Sequence, residues 1–185
     1  QEKKKLGVAL VGLGNYSTTM LSKALKEAER CYLAGVVSGS QAKAKEWSKQ
    51  YGFPEKNIYD YRNFDSIANN PEIDVVYVVL PPSMHAEYVM RAANAGKHVW
   101  CEKPMAMTVA ECQRMIDACK KNNVTLSIGY RMHHEPNTRQ IIQFRKELTY
   151  GSVLKVEAAA GYFDSRTDHW KQKKEMGGGV LYDMG

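Results

Sequence analysis

Long apolar runs are missing from these 185 residues. The longest, Val75-Val76-Tyr77-Val78-Val79-Leu80, falls far short of the ~20 residues that a membrane-crossing helix needs, and Pro81-Pro82 closes it. No transmembrane segment is expected. Cysteine is scarce as well: Cys31, Cys101, Cys112 and Cys119 form no C-x-x-C pair and stand at no zinc-finger interval from a histidine. They are expected to be free thiols, and the adjacent His133-His134 does not match a helical metal pair, so no metal is assigned. Tracts of one charge sign are absent too. Lys and Arg number 26 against 20 Asp and Glu, a net +6 spread along the chain. The short clusters Lys3-Lys4-Lys5 and Lys171, Lys173, Lys174 are not interleaved with aromatics in any nucleic-acid module. A nucleic-acid partner is not expected, whereas an anionic small molecule suits this balance. The chain opens on Gln1 rather than Met, from which removal of a preceding segment is expected. An export signal there would make the protein periplasmic; otherwise it is cytoplasmic.

What is present is a repeating alternation. Leu6 to Val11 is an apolar strand running into Gly12-Leu13-Gly14-Asn15-Tyr16-Ser17, after which Met20, Leu21, Ala24 and Leu25 recur at helical spacing. Tyr32 to Val37 reads as a second strand, Gln41 to Tyr51 as a helix stopped by Gly52-Phe53-Pro54, and Ile58-Tyr59 as a short third strand before a helix near Phe64 to Asn69. Val75 to Leu80 is apolar on both faces, as in a parallel sheet covered on two sides. A helix over Ser83 to Ala95, a strand over Val99 to Cys101, a helix over Val109 to Lys121 and a strand over Thr125 to Ile128 complete the pattern. The spacing predicts an α/β, doubly wound parallel sheet of the Rossmann type over residues 1–128. From residue 129 the rhythm changes: a helix near Asn137 to Leu148 leads into a longer strand, Ser152 to Tyr162. Residues 129–185 are expected to open a second domain.

Three places in this scaffold carry chemistry. Gly12-x-Gly14, after a strand and before a helix, supplies the tight turn and bare backbone that let a pyrophosphate approach free N–H groups; Asn15 and Tyr16 continue it, and Ser17 stands where a third glycine is usual. The second strand ends in Val37-Ser38-Gly39-Ser40 with no carboxylate to pair with a ribose 2′-hydroxyl. Ser38, Ser40 and Lys43 can instead donate to a 2′-phosphate, so NADP is expected over NAD; the plainer reading is that the serines cap the next helix. The strand reaching Cys101 ends in Glu102-Lys103-Pro104, and Pro, which cannot donate to a sheet ladder, marks its carboxyl edge. Lys103 there can polarise a substrate oxygen, while Glu102, pointing to the opposite face, is better placed for the cofactor ribose. Pro82 and His85, at the same rim, are expected near the nicotinamide, with helix capping or packing as the other reading of His85.

Gly12-Leu13-Gly14-Asn15-Tyr16-Ser17, Glu102-Lys103-Pro104, Ile128-Gly129-Tyr130-Arg131 and Gly177-Gly178-Gly179-x-Leu181-x-Asp183-x-Gly185, in this order, resemble the Gfo/Idh/MocA family of NAD(P)-dependent oxidoreductases; within it, Val37-Ser38-Gly39 with Lys43, Tyr59-Asp60-Tyr61 and Tyr130-Arg131-Met132-His133-His134-Glu135-Pro136 are most similar to the glucose–fructose oxidoreductase group. The resemblance implies a Rossmann domain followed by an α+β domain with an open, mostly antiparallel sheet that mediates dimers or tetramers. It implies NADP held partly by Ser38, Lys43 and Tyr61, and hydride transfer to or from a sugar or polyol. It also implies Lys103 and Asp183 at the reacting carbon, with Tyr130 and Arg131 nearby and Trp170 on the substrate side. A non-catalytic NADP-binding sensor is the alternative. The family's acid/base residue lies a few positions beyond the aspartate, past Gly185, so these 185 residues alone are expected to bind cofactor with little turnover.

Overall fold

Six parallel strands form one sheet in the order β3-β2-β1-β4-β5-β6. The structure is a computed structural model that describes residues 4–157, 159, 161, 163 and 165–180. The strands are β1 (Leu6–Val11), β2 (Cys31–Val37), β3 (Ile58–Tyr59), β4 (Val75–Val78), β5 (His98–Cys101) and β6 (Leu126–Ile128). Between them run α1 (Ser22–Glu27), α2 (Gln41–Tyr51), α3 (Pro82–Asn94) and α4 (Val109–Lys121); a 3₁₀ segment, Phe64–Asn69, replaces the helix expected before β4. The doubly wound fold is as the alternation predicts, with boundaries shifted by a residue or two.

Burial on both faces explains the apolar runs. Along β1 and β4 alternate side chains enter two separate cores. Ala9, Val11, Val76, Val78, Val99 and Cys101 pack with Val89, Ala92 and Met115 from α3 and α4. Val8, Leu10, Val36 and Val75 pack with Leu25 and Trp47 from α1 and α2. Each fully buried aliphatic chain contributes roughly 1.5–3 kcal/mol relative to exposure. Cys101 and Cys119 are buried and Cys31 and Cys112 half-buried, and all four are free thiols.

Beyond β6 the chain forms α5 (Pro136–Glu147), which buries none of its residues. The strand expected over 152–162 is not formed among the described residues 152–157, which run exposed with no pairing. A strand needs a neighbour for its N–H and C=O groups, and none lies alongside among the described residues. No helix among them is long and apolar enough to cross a membrane.

Candidate functional site

The sheet order reverses between β1 and β4, whose chains leave toward opposite faces, and the crevice this opens at their carboxyl ends is where such sheets take ligands. Gly12 turns out of β1 with φ +93°, and a Cβ there would lie 2.4 Å from the Val79 carbonyl oxygen. Torsion and space both demand glycine. Gly14 differs: its φ is not positive, and nothing lies within 4 Å of a Cβ built on it. The chain's own packing does not require a bare backbone at Gly14, and the space in front of the helix start is open. Ser17, in the third glycine's place, is fully buried and donates its hydroxyl to the Gly12 carbonyl at 2.6 Å. Thr18, Thr19 and Ser22 likewise donate back to Gly14, Asn15 and Thr18 carbonyls. These bonds compete with the helix ladder, and the first turn widens to a π-helical one over Ser17–Leu21 before α1. Asn15 and Tyr16 stand exposed at its mouth.

At the end of β2, Ser38 is buried, its N–H donates to the Tyr59 carbonyl, and its hydroxyl accepts from the Ser40 N–H at 3.1 Å. Ser40 is the N-cap of α2, accepting from the Lys43 N–H at 3.3 Å. The capping reading therefore holds for Ser40, while Ser38 ties down the turn that leads into the cap. The Lys43 ammonium donates to the Leu13 carbonyl, between the two glycines. Tyr61 lies 3.4 Å from where a Gly39 side chain would begin and meets Tyr88 edge-on at 5.5 Å. The α2 start thus presents a helix N-terminus without an acidic residue in its first turn, beside a lysine.

At the end of β5, Glu102 follows the parity of Trp100 toward the α1 face. Its carboxylate accepts from the Tyr77 hydroxyl at 2.5 Å and from the Lys103 N–H at 3.3 Å. Burial, and then the bond to Glu102, push the Tyr77 hydroxyl far above the usual phenol range. Burial also raises Tyr16, with the charge of Glu102 adding to the rise and Arg131 opposing it, so these three side chains share one electrostatic neighbourhood. Lys103 is half-buried between this carboxylate and Pro104, in a peptide that is cis. Tyr130 is 39% exposed, with His133 edge-on to it, and Arg131 is exposed. Trp170 is half-buried, with the Lys171 ammonium 5.8 Å from its ring centre.

Two expectations need correction. His85 is fully buried, its ring nitrogens each 2.8 Å from a carbonyl oxygen, those of Pro104 and Leu80, so the packing reading of this residue holds in place of a cofactor contact. Pro82 is buried too: a Cβ on Gly177 would come within 2.6 Å of its ring, so the Gly177 segment covers it. Asp183 lies outside the described residues. Tyr77, which orients Glu102, escaped the sequence reading; a lone phenol in an otherwise aliphatic strand was the available signal. Among the described residues no group of three or more His, Cys, Asp or Glu is placed to hold a metal ion.

Comparison with known proteins agrees with this geometry. A D-xylose 1-dehydrogenase (NADP(+)) of Haloarcula marismortui is 31% identical over 182 residues, 96% of this chain and 50% of that one. A trans-1,2-dihydrobenzene-1,2-diol dehydrogenase of Danio rerio is 30% identical, over 97% of this chain and 52% of that one. The crystal structure of an aldose-aldose oxidoreductase from Caulobacter crescentus, complexed with glycerol, superposes with a TM-score of 0.93 at 42% identity, covering 97% of this chain and 54% of that chain. The chain spans about half the length of these relatives. Residues 6–130 match the family described as an oxidoreductase family with an NAD-binding Rossmann fold. That match covers the glycine turn at the switch point and the strand that ends at Lys103, and the chain belongs to the Gfo/Idh/MocA oxidoreductases.

Proposed function

We propose that the whole protein is an NADP-dependent oxidoreductase that moves a hydride between the nicotinamide and a carbon of a sugar or related polyol. The position of Lys103 carries this reading: a half-buried lysine just past the carboxyl end of β5, the end of the sheet at which Gly12 turns out of β1. Gly12, Gly14, Asn15 and Tyr16 would receive the pyrophosphate, Ser38, Ser40, Lys43 and Tyr61 the phosphorylated ribose, and Glu102 and Arg131 the nicotinamide side. When bound, the nicotinamide supplies or takes up the hydride. Lys103 donates to the reacting oxygen and polarises its bond to carbon; the family resemblance pairs it with Asp183 and puts Tyr130 and Trp170 on the substrate side. The absence of a carboxylate at the end of β2 supports NADP, as does the NADP(+) in the name of the Haloarcula relative. Residues 1–128 would form the dinucleotide domain and 129–185 the beginning of a substrate and oligomerisation domain, assembling as a homodimer or homotetramer.

Replacing Lys103 with Ala in the whole protein tests the reading. Turnover of an aldose or polyol falls by roughly 10²–10⁴ while NADP affinity stays within twofold. Unchanged turnover would defeat it, and tighter binding of NAD than of NADP would overturn the cofactor assignment.

A further inference from the structure

We infer that His85 is a positioning residue for Lys103, its imidazole clipping the turn after Lys103 to the turn after β4; the inference rests on the catalytic reading of Lys103 above. Each clipped carbonyl sits in a stretch where proline has removed the usual donor. Leu80 is followed by Pro81 and Pro82, and Lys103 by Pro104, so neither turn has a full set of N–H groups to tie it down. The fully buried ring of His85, carried by α3, stands between them at 2.8 Å from the Leu80 oxygen and 2.8 Å from the Pro104 oxygen. A carbonyl left without a partner away from water costs about 1–3 kcal/mol, so the turn that receives the ring's N–H gains by meeting it.

The other side of Lys103 is held as well. The Glu102 N–H donates to the Val78 carbonyl at 3.0 Å, and the Lys103 N–H donates to the Glu102 carboxylate, which Tyr77 fixes in turn. The lysine backbone therefore lies between two pins, one from β4 through Tyr77 and Glu102, the other from α3 through His85. Burial draws the His85 pKa below the ordinary imidazole range, and the Pro104 and Leu80 carbonyls oppose that fall. The neutral ring has a single N–H and donates to one of the two carbonyls, according to its tautomer, whereas the charged ring donates to both. A lysine that must meet a substrate oxygen at hydrogen-bond distance depends on such pinning, because an error of about 1 Å in placing reacting groups costs on the order of a hundredfold in rate.

The test is a double-mutant cycle in the whole protein, with aldose turnover, NADP affinity and amide hydrogen exchange as readouts. His85→Leu is expected to lower kcat about tenfold to a hundredfold with NADP affinity within twofold, and to speed exchange in residues 102–107. His85→Gln, which keeps a donor, recovers most of the loss. Added to Lys103→Ala, His85→Leu slows turnover no further, because it acts through a side chain already gone. If His85→Leu fails to fold, the same cycle is run with His85→Gln, whose smaller loss must also vanish on Lys103→Ala. Wild-type kcat in a folded His85→Leu protein, or losses that multiply in the double variant, would overturn the inference. Lys103→Ala turning over normally would instead defeat the functional reading, and unchanged exchange at 102–107 would then reject the clip on its own.

Discussion

Two helices of similar length, α3 and α5, divide this chain into regions built on different terms. α3 buries His85, Ala86, Tyr88, Val89, Ala92 and Ala93 against the sheet, whereas α5 buries nothing, leaving Ile141 66% and Ile142 42% exposed. Both carry apolar positions at helical spacing. An amphipathic stripe is only half a contact, and the other half here is the sheet, which reaches residues up to about β6 and no further. The candidate chemistry sits where these regions meet, with Lys103 on the sheet edge and Tyr130 just past its last strand.

Substitutions on the two sides should separate them. The largest effect is expected from Leu10→Ala, fully buried between β1's neighbours: about 2–5 kcal/mol of stability, read by urea denaturation. Gly12→Ala forces a side chain into a left-handed turn against the Val79 carbonyl and should cost about 1–3 kcal/mol, with NADP affinity falling alongside. A loss of stability without a loss of affinity would detach that turn from the cofactor. The third effect depends on pH. His85 has a folded pKa below its ordinary 6.5, so the unfolded chain takes the proton first. Its contribution is full above about pH 6.5 and is lost as pH falls from there through the folded value. Denaturation midpoints followed from pH 7.5 toward 5 should therefore decline in the wild type and stay flatter in His85→Leu; parallel curves would contradict the burial of this ring. The carboxylates held low by hydrogen bonds, Asp60, Glu72 and Glu135, lose their contribution at lower pH, below about 4.5, and do not confuse that window. Smallest of all, Ile141→Ala should change stability by less than about 0.5 kcal/mol, and a larger loss would show α5 to be covered after all.

Local signals were the legible ones. Glycine after a strand, proline closing a strand and apolar runs flanked by helical spacing are properties of neighbours in sequence, and they located β1, its turn, β5 and Lys103. His85 stays open between two readings in the sequence because a residue at a sheet rim faces either the crevice or the core, depending on how its helix is rotated. The signal existed in its register: His85, Val89 and Ala92 fall on one stripe of α3, with Ala86 and Ala93 beside them. The Tyr77 bond to Glu102 was out of reach, since it follows from the pairing of Tyr77 with Trp100 across β4 and β5, which no local pattern specifies. The strand expected over 152–162 fails over its described residues 152–157 because a strand-like run of residues does not supply a neighbour.

The bond from Lys43 to the Leu13 carbonyl has one more consequence. A lysine side chain in water carries about 2 kcal/mol of rotameric freedom, which a phosphate would ordinarily have to quench on arrival. Here the chain is already reined in when the protein folds, with one of three donors engaged and the remaining two aimed from a fixed point. A phosphate docking there, as proposed above, would meet a cation that is preorganised, and discrimination between cofactors would become a property of folding as much as of binding.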